Sequence, residues 1–150
     1  MRPGQHKTCD DCAQQQPDLF EHRYLLLSLI VEGNRYSTDP SISADGRHVA
    51  FDSRASNLVP GDTNGWYDVF VHDLQTLQTV RVSVASDGTQ GNDDSWYASI
   101  SADGRYVAFA SFADNLVSDD NNGRHDIFVH DLLTRETVRV SVDSSGTEAN

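Results

Sequence analysis

Apolar and polar residues alternate most regularly in two short stretches of the chain. In each stretch, valine occupies every second position and alternates with threonine, arginine and serine: Val80, Val82 and Val84 in the first, and Val138, Val140 and Val142 in the second. A period of two places the valines on one face of a strand, which packs, and the polar residues on the face toward solvent. Each stretch is therefore predicted to be the outer strand of a sheet.

Both stretches belong to a long internal repeat. The hexapeptide Ser-Ile-Ser-Ala-Asp-Gly at 41–46 recurs unchanged at 99–104, an offset of 58 residues (99 − 41), and about two-thirds of the aligned positions are identical. A fixed period is typical of architectures in which similar units pack side by side. We therefore divide the chain into a tail, residues 1–35, a first unit, residues 36–97, and a second unit, residues 98–150.

Each unit is predicted to contain four short strands and no helix. The Asp-Gly pair after the first strand suits a tight hairpin turn, because both residue types tolerate positive φ. Besides the valine stretches, the predicted strands are residues 40–43, 48–53 and 68–74 in the first unit, and 98–101, 106–111 and 126–132 in the second. The predicted fold class is all-β, with two four-stranded antiparallel propeller blades forming a partial β-propeller.

The tail does not follow the repeat. Its polar, glutamine-rich start is typical of a poorly ordered segment. The stretch from Asp18 to Val31 fits either a helix capped by Asp18 or a buried strand ending a preceding unit. Cys9 and Cys12 have too few neighbouring ligands for a zinc site and lack the strand-to-helix context of a redox pair. We interpret them as two exposed thiols.

Charge and length limit the classes of partner. The formal net charge of −12 repels phosphate backbones and anionic lipid, so we expect no nucleic-acid partner. The longest apolar run is far shorter than the ~18 residues of a membrane span, so no membrane insertion is expected. No secretory signal is visible, and the sequence leaves the compartment open.

Three segments of the second unit match a known type of repeat: Ser-Ile-Ser-Ala-Asp-Gly-Arg-Tyr-Val-Ala-Phe at 99–109, Ile-Phe-Val-His-Asp-Leu at 127–132, and Thr-Val-Arg-Val-Ser at 137–141. Together they closely resemble the PD40 (WD40-like) repeat of TolB-type β-propellers. The resemblance covers about residues 36–150, in two copies. It implies blades whose Ser-Ile-Ser strand lies nearest the propeller axis, and a scaffold used mostly for binding, often in periplasmic or secreted bacterial proteins.

The chain departs from this family in three respects. Its period exceeds the usual repeat of about 40–45 residues, and no Trp-Asp pair ends the third strand. Two units also fall short of the roughly four to eight blades of a closed propeller. Because each blade buries its faces against neighbours, two blades alone leave an apolar face at each end. We expect either further blades in a longer protein or a head-to-tail homo-oligomer that closes a ring.

One loop of each unit resembles a calcium-binding loop. Hard oxygen ligands alternate there and a glycine permits the turn, although the spacing differs from that of an EF-hand. We predict that Ca²⁺ is bound by Asp62, Asn64 and Asp68 in the first unit, and by Asp120, Asn122 and Asp126 in the second. The alternative is a turn in which these side chains bond their own backbone.

Three aromatic residues interrupt the polar loops: Trp66, Trp96 and Tyr97. Exposed aromatic rings often contact a ligand or partner, because they supply large area at low entropy cost. Packing between blades is an equally good explanation. Trp66 corresponds to Arg124 in the second unit, so this aromatic position is not shared by both blades.

No catalytic motif is evident. His72-Asp73 and His130-Asp131 resemble half of a catalytic relay, but their identical repeat positions favour a structural role in which each aspartate bonds turn amides. No nucleophile elbow, phosphate-binding glycine loop or zinc-protease motif occurs. The sequence predicts a non-catalytic scaffold for a protein partner. The alternatives are the propeller cap of a prolyl-oligopeptidase-like hydrolase and a lectin-like oligomer that binds sugar between blades.

Overall fold

The structure, a computed structural model, describes residues 32–149. The predictions made for Cys9, Cys12 and the stretch from Asp18 to Val31 lie outside the described residues. No helix long and apolar enough to cross a membrane occurs within them.

The described chain folds into eight strands. They are β1 (Ser37–Ile42), β2 (His48–Ser53), β3 (Asp68–Asp73), β4 (Gln78–Arg81), β5 (Ser95–Ile100), β6 (Tyr106–Ser111), β7 (Asp126–Asp131) and β8 (Thr137–Arg139). They form two antiparallel four-stranded sheets with the sequential orders β1-β2-β3-β4 and β5-β6-β7-β8. The predicted all-β class, with two four-stranded antiparallel sheets, is confirmed.

The predicted strand bounds hold best in the middle of each sheet. Strands β2 and β6 have the predicted bounds, whereas β3 and β7 end one residue earlier. The first strands begin three residues earlier than predicted, because β1 and β5 continue through a β-bulge marked by a register shift. The repeat also reaches back to residue 32. The Asn34 amide donates to Asn57 Oδ1 and Asn57 Nδ2 donates to the Glu32 carbonyl, and Asn92, Asn115 and Gln90 form the same two bonds in the second unit.

The valine stretches depart from their predicted alternation. Strands β4 and β8 end at Arg81 and Arg139, so four of the six valines lie beyond them. Val82 is fully buried, but Val80 is 46% exposed. The prediction of one packed valine face is therefore wrong. Val80 pairs with Val71 in the sheet but lines an open groove at the outer edge, where less of the neighbouring sheet covers it.

The core lies between the two sheets. One face of the first sheet meets the opposite face of the second in a single apolar cluster: Ala50, Val69, Val71, Val82, Ala98, Ile100, Val107, Phe109, Ala113, Leu116 and Phe128. Val69 and Val82 of this cluster correspond to Ile127 and Val140 in the second unit, and these two residues are exposed. The second sheet thus presents to solvent the face that the first sheet buries.

Hydrogen bonds and one close approach fix how the sheets meet. The amide of Ala44 donates to the carbonyl of Ala102 at 2.9 Å, so the two Asp-Gly turns lie side by side. At this junction a Cβ on Gly104 would lie 2.6 Å from Nδ1 of His48, and its φ of +72° also favours glycine. A side chain at this turn would meet the His48 ring, so that ring or the turn would have to shift.

Candidate functional site

A pocket of about 550 Å³ opens where the two sheets meet. Its volume falls within the range of about 300–1,000 Å³ that is usual for ligand sites. The lining residues come from both units: Thr38, Asp39, Asp52, Tyr67, Trp96, Tyr97, Ala110, Phe112 and His125. We refer to these nine residues as the junction pocket.

The bulges of β1 and β5 place two residues of the junction pocket. Asp39 and Tyr97 occupy equivalent positions and both have positive φ, 48° and 58°. Non-glycine residues in this region carry strain, which tends to occur where a side chain must be aimed at a particular place. The bulge leaves the Tyr97 side chain 72% exposed.

Edge-to-face contacts hold the aromatic wall of the pocket. The Trp96 and Phe112 ring centroids are 5.6 Å apart at 84°, and those of Phe112 and His125 are 5.4 Å apart at 68°. Such offset and edge-on geometries are favourable for aromatic pairs. The three rings therefore form a supported row along one side of the pocket.

Of the three predicted aromatic contact residues, two lie in the junction pocket. Trp96 and Tyr97 line it, whereas Trp66 lies elsewhere on the surface. Sequence reasoning did not identify Phe112 or His125.

A signal for the missed residues is present in the repeat itself. All nine lining residues fall at repeat positions where the two copies differ, such as Asp52 against Ala110 and Tyr67 against His125. About two-thirds of all aligned positions are identical, so differences of this kind are the minority. The junction pocket is therefore built from residues that the common blade fold does not require.

Asp52 supplies an anionic wall. It is only 1% exposed, and its Oδ2 accepts a hydrogen bond from Thr38 Oγ1 at 2.7 Å. Its Oδ1 accepts no hydrogen bond from the described residues. Burial raises the pKa of Asp52 and the nearby charge of Asp39 adds to this rise, whereas the Thr38 hydrogen bond and weaker interactions with the backbone amides of Tyr97 and Asp52 oppose it. A buried carboxylate with one unsatisfied oxygen carries a desolvation cost that a cation would offset.

The predicted calcium loops bring their carboxylates together, but around an arginine. In the first unit, Nη1 of Arg81 lies 3.2 Å from a carboxylate oxygen of Asp62 and 3.2 Å from one of Asp68. Ser83 Oγ donates to the other oxygen of Asp68 at 2.6 Å. Asn64 makes backbone contacts, accepting from the Trp66 amide and donating to the Gly91 carbonyl.

The second unit repeats this arrangement with one more acid. Arg139 Nη1 lies 3.4 Å from Asp120, 3.9 Å from Asp126 and 2.8 Å from Glu148, and Asn122 donates to Asp126 and to a backbone carbonyl. Burial and a neighbouring carboxylate raise the pKa of Asp120. Among the described residues, no group of three or more His, Cys, Asp or Glu is placed to hold a metal ion. Calcium binding stays a prediction.

The His-Asp pairs bond as a structural role requires. Asp73 accepts hydrogen bonds from the amides of Gln75 and Thr76 and from two nitrogens of Arg47, at 3.1 and 2.7 Å. These bonds, led by the one from Arg47, lower the pKa of Asp73. His72 Nδ1 bonds to Thr79 Oγ1. The second unit reproduces this network around Asp131, with Arg105 as its cation.

A second groove, of about 510 Å³, lies between the outer edges of the sheets. Polar groups beside it already bond across the junction: Thr137 donates through Oγ1 to the Val84 carbonyl at 2.6 Å and through its amide to Ser86 Oγ at 3.0 Å. Within the described chain, the junction pocket is therefore the better candidate site.

No protein-family model matches the chain, and no curated protein matches it significantly. Among solved structures, the chain is similar to TolB from Acinetobacter baumannii (23% identity, TM-score 0.47, covering 77% of this chain and 22% of that one). It is also similar to a putative TolB from Agrobacterium tumefaciens (15%, 0.48, 73% and 34%) and to an acylaminoacyl peptidase from Pyrococcus horikoshii (22%, 0.45, 73% and 15%). The chain spans about a third or less of each.

Sheet order defines the class of protein. Two consecutive antiparallel four-stranded sheets, packed face to face, are two blades of a β-propeller. Each described sheet has the strand number and the antiparallel order that the resemblance of the repeat implied for a blade.

Proposed function

We propose that the chain is a segment of a TolB-like propeller that serves as a non-catalytic scaffold and binds a protein partner at the junction pocket. The observation that carries this proposal is the composition of that pocket. Its residues differ between two otherwise similar blades, and they include exposed aromatic rings beside a buried, incompletely bonded carboxylate. Aromatic residues in partly enclosed sites are frequent anchors of protein interfaces.

The bonding of the His-Asp pairs supports a role without catalysis. Both aspartates are held by an arginine and by turn amides, and both histidine Nδ1 atoms bond to a threonine. Each group thus has a partner within its own blade.

The exposed face of the second sheet supports the presence of a further blade. Ile127 and Val140 stand where the first sheet has fully buried Val69 and Val82. A neighbouring blade, from the same protein or from another copy, would cover them. Size-exclusion chromatography with light scattering tests the homo-oligomer. A trimer or tetramer supports a closed ring of copies, and a monomer favours the alternative, in which the covering blade belongs to the same protein.

Selection of random displayed peptides on the full chain tests the binding site. Peptides that bind should lose most of their affinity for a Trp96→Ala variant, measured by biolayer interferometry. A Trp66→Ala variant is the matched control, because Trp66 is exposed but does not line the junction pocket. Selected peptides that bind the Trp96→Ala variant as tightly as the parent would refute the proposed site.

A further inference from the structure

We propose that the junction pocket receives a basic side chain of the protein partner, either the ammonium group of a lysine or the guanidinium group of an arginine. This inference rests on the proposed function, since it assumes that the pocket is the binding site and adds the chemistry that it selects. It follows from the charges, the aromatic rings and the unfilled bonding capacity of the lining residues.

The pocket is lined by two aspartates and by no lysine or arginine. Asp52 and Asp39 both line it, and neither has an ion pair with a lysine or arginine in residues 32–149. The other arginine-linked aspartates of the fold, such as Asp73 and Asp131, show that this chain usually pairs its half-buried acids. Asp52 has no such pair, although it is more deeply buried than either. Its charge acts across a short stretch of protein, where attraction is stronger than through water.

The aromatic wall suits the same ligand. A cation within about 6 Å of a ring centroid is attracted by the π face, and arginine also stacks on aromatic planes. Tyr97 is exposed and Trp96 is half-buried, so both offer ring surface to an incoming group. Because the contacts of Trp96 with Phe112 and of Phe112 with His125 already fix these rings, little side-chain freedom is lost on binding.

Other ligand classes fit less well. An anion would meet two carboxylates and a protein of net charge −12. A neutral sugar could stack on the rings, but the hydroxyl of Thr38 already donates to Asp52, and among the described lining residues no amide side chain is present. Stacking of a sugar also gains nothing from the charge of Asp52. A sugar hydroxyl can donate to a carboxylate, so a direct comparison with a sugar probe, and not charge dependence alone, separates a basic side chain from a sugar.

Acidification should weaken binding. The other titratable groups that line the pocket are Asp39, Tyr67, Tyr97 and His125. Burial raises the pKa of Asp52, so as pH falls this carboxyl takes up its proton before ordinary aspartates do, and the attraction for a cation is lost.

Two-dimensional ¹H–¹⁵N NMR of the full chain tests the inference. The chain has two tryptophans, so its spectrum contains two indole signals, which Trp66→Phe and Trp96→Phe variants assign. The probes are n-butylguanidinium and n-butylammonium chloride, with n-butanol as the neutral isostere of n-butylammonium and methyl glucoside as a sugar, all at constant ionic strength. We expect both cations to shift the Trp96 signal with a Kd of about 10 mM while the Trp66 signal stays in place.

The carboxylate is tested by substitution. Asp52→Asn keeps the shape and should weaken binding of the cations about tenfold, the effect of one charge acting at close range through protein. Asp114→Asn makes the same change of net charge at an exposed residue outside the pocket and should leave the affinity unchanged. If the Asp52→Asn spectrum shows loss of folding, Asp39→Asn replaces it, with an expected weakening of about threefold.

Three results would overturn the selection of a basic group. One is a Trp96 shift by n-butanol or methyl glucoside as strong as that by the cations. The second is unchanged cation binding in the aspartate variants. The third is no Trp96 shift with any probe at 100-fold excess. None of these results refutes the proposed function, which the displayed peptides test separately. Peptides that depend on Trp96 but contain no lysine or arginine would support the binding site and reject its selectivity for a basic group.

Discussion

Val82 and Val140 are a matched pair for measuring what contact between the blades contributes to stability. They are the same residue at equivalent repeat positions, and each amide donates to a carbonyl of the third strand, that of Val69 or that of Ile127, at 2.8 Å. They differ in cover, because Val82 is fully buried in the core between the sheets and Val140 is 47% exposed. Replacing each valine by alanine removes the same two methyl groups, at Val82 under a neighbouring blade and at Val140 without one.

The expected magnitudes follow from this burial. Val→Ala removes two carbon groups worth about 0.8 kcal/mol each when fully buried, and the closed cavity adds to this, so Val82→Ala should cost about 2–3 kcal/mol. At Val140 only about half of this burial free energy is lost and no closed cavity forms, so the free energy of unfolding should fall by less than about 1 kcal/mol. Local strand propensity affects both variants alike and cancels in the difference.

Urea unfolding followed by circular dichroism measures both free energies, at a protein concentration where light scattering shows a monomer. This condition matters because a second copy covering Val140 would raise the cost of its truncation. Two variants that differ by less than about 0.5 kcal/mol would refute the proposed packing of the sheets. A larger loss for Val140→Ala would place the core on the other face.

The remaining predictions concern a turn, two ion pairs and the acidic loops. Gly104→Ala should destabilise by about 1–3 kcal/mol more than Gly46→Ala in the same unfolding assay: both have positive φ, but only at Gly104 would the new Cβ meet a neighbouring ring. Equal losses would contradict this. The pKa values of Asp73 and Asp131 are lowered mainly by their arginine partners, so the stability they add is full above about pH 4 and is lost as pH falls further. An Asp→Asn change at both should flatten the decline of the urea midpoint between pH 5 and pH 2, and an unchanged decline would refute it. If the acidic loops bind Ca²⁺, Arg81→Met should tighten binding by calorimetry, because this arginine lies between the first pair of carboxylates; absence of heat at millimolar ion in both parent and variant would remove the site.

The repeat made the middle of each sheet predictable. Two copies with the same alternation and the same Asp-Gly turn gave the bounds of β2 and β6 without error. The bulges could not be predicted, because no turn motif marks Asp39 or Tyr97 and tyrosine seldom adopts the left-handed conformation that both residues have. Burial of Val82 but not Val80 likewise depends on how far the neighbouring sheet reaches.

Predictions for the site were limited by the same lack of long-range information. The acids of the calcium-like loops do converge, but the sequence assigned Arg81 only to the polar face of a strand, and its position between Asp62 and Asp68 follows from the sheet register. The junction pocket joins residues about 58 apart, so no local motif marks it. The differences between repeat copies, such as Asp52 against Ala110, are the signal that the sequence does contain.

Contact between opposite faces of the two blades is tested most directly by nuclear Overhauser effects in a sample with labelled valine methyl groups and phenylalanine rings. We expect cross-peaks from the methyl groups of Val69, Val71 or Val82 to the rings of Phe109 or Phe128, which share one buried cluster. Cross-peaks that instead join these rings to the methyl groups of Val140, or the absence of any between the two sheets, would contradict the packing from which the junction pocket is formed.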